Sequence, residues 1–132
     1  MLFVPSNRPV ERLTDIVRNC DSILEYTTGL DLDGYMDAPQ MLRDAVERCF
    51  QRISEAAYKL GEYLDSLYPD VDWEGARGVG NILRHQYDEV ENPTIWFGII
   101  EDVPKLRQAA MDEIARLDGL SGPAAGFSAL DK

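Results

Sequence analysis

The residues best suited to chemistry in this 132-residue chain lie in one short stretch, RGVGNILRHQY, residues 77–87. It holds the only histidine of the chain, His85, with Arg84 beside it and Tyr87 two residues later. Histidine, with an ordinary pKa of about 6.5, accepts or donates a proton at neutral pH. Arginine holds a phosphate through two hydrogen bonds. These residue types suit phosphodiester chemistry, with histidine as acid or base and arginine stabilising the charged transition state.

In a helix, the polar residues of this stretch fall on two faces. Asn81 lies four residues before His85 and shares its face, whereas Arg77 and Arg84 are seven residues apart and share another. Arg77 and Arg84 are therefore candidates for holding a phosphate, and Asn81 and His85 for acting on it.

Two glycines, Gly78 and Gly80, weaken the same stretch. Each costs a helix interior roughly 1 kcal/mol relative to alanine. Their spacing predicts that something comes close to the backbone here: a partner helix, a second copy of the chain or the phosphate of a ligand. The alternative is that residues 77–80 form a loop.

The elements that must position these residues are helices. Apolar residues recur at helical spacing and no segment shows sustained alternation with a period of two, so the sequence predicts an all-α fold. The four main predicted helices are Pro9–Thr28, Pro39–Tyr68, Trp73–Tyr87 and Pro93–Leu117. They form a helix bundle in a single domain, residues 1–118, followed by a flexible tail, residues 119–132.

Individual residues set the ends of these helices. Gly29 stops the first helix, and one or two helical turns follow it. Pro69 ends the second, and Asp72 is the predicted N-cap of the third. Pro104 lies inside the fourth helix and predicts a kink near Glu101.

Composition excludes several classes of protein. The net charge of −11 argues against non-specific binding to duplex DNA. No apolar run approaches the roughly 20 residues that span a bilayer, and the N-terminus lacks the features of a signal peptide. The sequence therefore predicts a cytoplasmic protein without a membrane partner.

The remaining polar and sulfur-containing residues carry no predicted metal or cofactor site. Cys20 and Cys49 lack the spacing of zinc ligands and lie on apolar helix stripes, which predicts buried free thiols. Asp31, Asp33 and Asp37 lack the order of a calcium-binding loop. No phosphate-binding loop or hydrolase motif is present, so no cofactor is expected.

Four blocks of sequence, spanning about residues 10–116, resemble the HepT-like toxin family, a branch of the HEPN (higher eukaryotes and prokaryotes nucleotide-binding) superfamily. The blocks are ILEYTTGLD, RDAVERCFQRISEAAYKL, YPDVDWEGARGVGNILRHQYDEV and IW…EDVPKL. The order and spacing of the four blocks carry the resemblance.

The resemblance implies a HEPN-like up-down bundle of four to five helices that forms a homodimer, with motifs from both subunits lining one cleft. It implies metal-independent ribonuclease activity on RNA. It also implies a partner, a cognate nucleotidyltransferase antitoxin of the MNT type, which adds AMP to a tyrosine of the toxin and silences it.

The family motif R-x4-H-x-Y assigns roles to single residues. His85 matches the motif histidine, Tyr87 the tyrosine that accepts AMP, and Asn81 the asparagine that often follows the arginine. Gly80 stands where the family has the arginine. Arg77 and Arg84 flank the site, and either can supply the guanidinium.

Three functions are compatible with these features. The first is a toxin ribonuclease that uses His85, with Arg84 or Arg77 on the phosphate. The second, favoured by Gly80 and by the negative charge, is a catalytically reduced HEPN-like dimer that acts as a binding partner of a nucleotidyltransferase. The third is a helical scaffold unrelated to nucleotides.

Overall fold

The computed structural model describes residues 8–85 and 92–121, and at positions 81, 82, 84, 85 and 121 it describes the backbone alone. Every regular element in these ranges is helical, which confirms the predicted all-α class. The elements in chain order are α1 (Pro9–Tyr26), α2 (Leu32–Asp37), α3 (Gln40–Leu60), α4 (Tyr63–Leu67), α5 (Trp73–His85), α6 (Asn92–Phe97), a π-helical segment (Gly98–Asp102) and α7 (Val103–Ser121).

The core lies where the long helices meet. α1 packs against α3 and α7, α3 packs against α5, and α2 packs against α6. Fully buried side chains come from each of the long helices α1, α3 and α7, among them Leu13, Ile16, Ile53, Val103 and Ala110. Cys20 and Cys49 are buried free cysteines, as predicted. Burial of each large aliphatic side chain stabilises the fold by about 1.5–3 kcal/mol.

The prediction of one continuous helix over Pro39–Tyr68 is wrong. α3 ends at Leu60, and Gly61 adopts φ +78° and ψ −149°, a backbone conformation that only glycine tolerates readily. The short helix α4 follows it. Apolar residues continue at helical spacing through Leu64, which is buried. The sequence pattern therefore gives no sign of the break at Gly61.

At the place where a kink is predicted, near Glu101, the structure has the π-helical segment. The backbone N–H of Val103, just after this segment, donates a hydrogen bond to the carbonyl of Gly98, five residues earlier. Proline in a continuous α-helix would press its ring against the carbonyl four residues earlier, and the extra residue in the turn relieves that contact. The same shift leaves Ile100 half exposed, although the helical stripe predicts it in the core.

α5 is a helix throughout its described length, so the alternative of a loop at residues 77–80 is wrong. The Oδ1 atom of Asp72 accepts a hydrogen bond of 2.9 Å from the backbone N–H of Gly75, which confirms Asp72 as the N-cap. The predicted end of this helix at Tyr87 lies outside the described residues.

A fully buried carboxylate, Glu113 of α7, connects three parts of the fold. It accepts hydrogen bonds from the hydroxyl groups of Tyr63 (3.0 Å) and Tyr68 (2.9 Å). It also accepts two from the guanidinium of Arg116, at 2.8 and 2.7 Å. These bonds lower the pKa of Glu113, with the Arg116 bond as the main cause. The short helix after Gly61 is thereby tied to α7.

The ends of the chain follow the prediction in part. Gly29, at φ +80°, stands just after the end of α1, as predicted. α7 continues to Ser121, and the rest of the predicted tail, residues 122–132, lies outside the described part. No helix in the described ranges has both the length and the apolar character needed to cross a membrane.

Candidate functional site

The histidine-bearing helix α5 is fixed to the bundle by one apolar face. Trp73, Ala76 and Leu83 are buried on it. The indole N–H of Trp73 also donates to the backbone carbonyl of Tyr68 at 3.0 Å. These contacts fix both ends of α5, so the positions between them are held in one register against α3.

Ser54 of α3 binds the backbone of α5 directly. Its hydroxyl donates to the carbonyl of Arg77 at 2.7 Å and accepts from the N–H of Gly80 at 3.2 Å. Gly80 is buried at this contact. The position where the family motif has arginine therefore faces α3 in this chain.

Gly78 has different surroundings. A Cβ atom placed on it meets nothing within 4 Å, so no described residue of this chain requires a glycine there. Position 85 lies two helical turns later on the same face of α5. A close approach at Gly78 by a second copy or by a ligand stays a prediction.

Arg77 is occupied by contacts within the chain. Its guanidinium makes two parallel hydrogen bonds to the carboxylate of Asp65, at 3.0 and 2.9 Å, and a third to the carbonyl of Gly61 at 3.2 Å. The paired bonds lower the pKa of Asp65 and raise that of Arg77. With 16% of its side chain exposed, Arg77 joins α5 to the break between α3 and α4.

The remaining predicted site residues lie at the end of α5 or beyond it. Asn81, Arg84 and His85 occupy its last two turns, and their side chains are outside the description. His85 is eight residues after Arg77, which corresponds to about 12 Å along the helix axis. Tyr87 lies outside the described residues altogether. The roles predicted for these four residues stay predictions.

A groove with a volume of about 440 Å³ lies between α3 and Arg77 of α5. We call it the α3–α5 groove. Its lining residues are Arg48, Gln51, Ser54, Glu55, Tyr58 and Arg77. Tyr58 is 74% exposed, and Glu55 pairs with Lys59 at 3.2 Å on the solvated side. The groove presents to solvent the aromatic ring of Tyr58, the amide of Gln51, the carboxylate of Glu55 and the guanidinium of Arg48, whereas the guanidinium of Arg77 is held by Asp65.

Sequence reasoning did not identify the α3 side of this groove. The signal is the recurrence of polar residues three and four apart, at positions 48, 51, 55 and 58, opposite the apolar stripe. Such a row usually marks only a solvated face. Its significance depends on the neighbouring helix, which a single sequence does not reveal. Among the described residues, no group of three or more histidine, cysteine and acidic side chains is placed to hold a metal ion.

Comparisons with known proteins agree with one another. A family model described as ribonuclease HepT-like matches residues 16–112. A Methanocaldococcus jannaschii protein named "Putative RNase" is 30% identical over 96 residues, covering 73% of this chain and 87% of that protein. The protein named "Probable ribonuclease HepT" from Thermococcus cleftensis is 25% identical over 95 residues, covering 72% and 86%. No solved structure matches the chain.

Proposed function

Because this chain belongs to the HepT-like ribonuclease family, we propose that it is a metal-independent endoribonuclease and the toxin of a toxin–antitoxin pair. The observation that carries the proposal is the family match over residues 16–112, which contains the whole of α5 and its histidine. The relatives named as ribonucleases align over most of their own length, which supports RNA as the substrate.

His85 is the proposed proton-transfer group. It removes the proton of an RNA 2′-hydroxyl, whose oxygen attacks the adjacent phosphorus while the bond to the 5′-oxygen breaks. A second histidine, from the other subunit of a homodimer, returns a proton to that leaving oxygen. Arg84, with Asn81 one turn before His85, is proposed to orient the phosphate.

Tyr87 is the proposed point of control. An MNT-type nucleotidyltransferase is proposed to add AMP to its hydroxyl, two residues after His85. The added group carries a negative phosphate into the place that the RNA backbone needs. Charge repulsion and the bulk of the adenosine would both exclude the substrate.

Cleavage of a labelled single-stranded RNA in the presence of EDTA tests the ribonuclease. The wild type is expected to cut it, and His85→Ala to cut about a hundred- to ten-thousand-fold more slowly, as loss of a general acid or base predicts. Arg18→Ala, which removes an exposed residue of α1, is the matched control and should keep full activity. Unchanged cleavage by His85→Ala contradicts the proposal.

Intact mass measurement tests the control step. Wild type incubated with ATP and the cognate transferase is expected to gain the mass of one or more AMP groups, and Tyr87→Phe to gain none. Tyr26→Phe, which changes an exposed tyrosine of α1, should behave as the wild type. An equal gain by Tyr87→Phe would place the modification on another residue.

A second candidate function is favoured by Gly80 and Arg77. Position 80 lacks the arginine of the family motif, and the guanidinium of Arg77 is bound to Asp65. A chain that has lost catalytic power in this way would act by binding the nucleotidyltransferase. Absence of metal-independent cleavage together with a stable complex with the transferase would support this candidate over the first.

A further inference from the structure

The α5 helix has no arginine available at the motif position. Gly80, which is five residues before His85, is buried against Ser54. Arg77 is nearer the other end of the helix, and its guanidinium already makes three hydrogen bonds within the chain. Arg84 is the one remaining arginine of α5, so a second guanidinium on a phosphate beside His85 has to come from a different element.

The register of α3 against α5 indicates which element. Gly61, which follows α3, accepts a hydrogen bond from the Arg77 side chain. Ser54, seven residues earlier, binds the backbone of α5 further along, at the Arg77 carbonyl and the Gly80 N–H. Residue numbers decrease along α3 in the direction in which they increase along α5, so the two helices run antiparallel. Arg48 lies six residues before Ser54, about 9 Å along α3, and His85 lies five residues after Gly80, about 7.5 Å along α5. Arg48 and position 85 are thus at the same level.

Arg48 also has a charge that the described chain leaves unneutralised. It is exposed and lines the α3–α5 groove. Its Nη1 atom donates to the neutral side-chain oxygen of Gln51 at 3.2 Å. No carboxylate among the described residues forms an ion pair with it, in contrast to Arg77. The side chain is therefore free to turn toward a ligand without breaking an ion pair in the described part.

We infer that Arg48 of α3 supplies the guanidinium that position 80 lacks, and that it holds the scissile RNA phosphate beside His85. The inference rests on the proposed function. Arg48 forms two hydrogen bonds to the non-bridging phosphate oxygens and stabilises the charge that develops as the 2′-oxygen attacks. The guanidinium comes from a neighbouring helix and approaches the same phosphate from the α3 side of the groove.

Cleavage kinetics with Arg48→Ala test the inference. Loss of one transition-state donor lowers kcat by about a hundred- to a thousand-fold. Arg48→Lys keeps the charge, loses the paired hydrogen bonds and should stay well below wild type. Arg18→Ala removes the same charge from α1 and should leave kcat unchanged. Because Arg48 is exposed, its variants should melt close to the wild-type temperature. Wild-type kcat in both Arg48 variants overturns the inference.

A binding measurement separates this inference from the ribonuclease proposal. The probe is a 2′-O-methyl RNA oligonucleotide, which has no attacking hydroxyl and cannot be cut. Arg48→Ala is expected to weaken its binding at least about tenfold, the effect of losing a charged contact worth about 1.4 kcal/mol, and Arg18→Ala to leave it unchanged. If wild type binds the probe through Arg48 but cuts no RNA, the ribonuclease proposal fails and the phosphate contact stands. If Arg48→Ala binds like the wild type, or the wild type does not bind, the Arg48 contact is overturned.

Discussion

At the scale of single residues, Glu113 carries the largest buried polar network of the described chain. A buried carboxylate is stable only when its oxygens are satisfied, and here two tyrosines and an arginine satisfy them. Removing the charge leaves those donors facing a weaker acceptor. The consequence for stability should exceed that of losing any one donor.

Glu113→Gln should destabilise the fold by about 2–3 kcal/mol, because it removes a charged acceptor from a buried network. Tyr63→Phe, which loses a single bond, should cost about 1 kcal/mol. Urea unfolding of the two variants measures both values. Equal stability of Glu113→Gln and wild type would show that the network contributes nothing.

The same network has a predictable dependence on acid. Because the pKa of Glu113 in the folded protein is lowered from 4.5, its contribution is complete above that value and is lost as the pH falls through the lowered one. The difference between wild type and Glu113→Gln should be constant near neutrality and shrink below pH 4.5. A difference that is the same at neutral and strongly acidic pH contradicts this assignment.

At the scale of elements, Gly61 separates α3 from α4 by a backbone conformation closed to other residues. Gly61→Ala should cost about 1–3 kcal/mol, because alanine is strained at φ +78° and ψ −149°. A Cβ at this position meets no neighbour within 4 Å, so the cost is conformational and not steric. Thermal unfolding measures it. An unchanged melting temperature would mean that the break does not depend on glycine.

Gly78 in α5 should behave in the opposite way. It lies inside a helix with open space beside it, so Gly78→Ala should stabilise the fold by about 0.5–1 kcal/mol. If a second copy or a ligand comes close to this backbone, the same variant should lose RNA cleavage while it gains stability. Full activity in the stabilised variant would remove Gly78 from the site.

The sequence alone predicts most of the helices. Apolar residues at helical spacing predict all the long helices, and the cap at Asp72 follows from a single residue type. The break at Gly61 is not predictable in this way, because Leu64 keeps the apolar period across it. The prediction that Ile100 lies in the core is wrong because the π-helical turn changes the side of the helix on which this residue lies.

The sequence alone predicts only part of the candidate site. His85, Tyr87 and the missing arginine at position 80 are predicted from one stretch of sequence, residues 77–87. The groove residue Arg48 is not predicted, and neither is the buried network of Glu113, because the residues across from them lie far away in the sequence. Tyr63 and Tyr68 are 50 and 45 residues from Glu113. A single sequence fixes the period of each helix but not the register between helices.

At the scale of the whole molecule, a chain of net charge −11 is proposed to bind a polyanion. The α3–α5 groove supplies few cations for this, so the RNA affinity should depend only moderately on salt. The slope of log K against log salt is about −0.7 for each phosphate contacted on a single strand. Two to four contacts predict a slope of about −1.4 to −2.8, measured with the uncuttable oligonucleotide. A slope beyond about −6 would require many more cationic contacts than the groove provides.

The carboxylate at the centre of the Tyr63–Tyr68–Arg116 cluster also sets an alkaline limit for the fold. Burial, followed by the hydrogen bond to Glu113, raises the pKa of both tyrosines, that of Tyr68 to about 12. A raised tyrosine pKa contributes stability that is complete below the ordinary value of about 10 and disappears as the pH rises through the raised value. Base should therefore release α4 from α7 as tyrosinate forms beside an existing negative charge. The appearance of tyrosinate absorbance and the loss of helical circular dichroism should coincide on one alkaline titration curve.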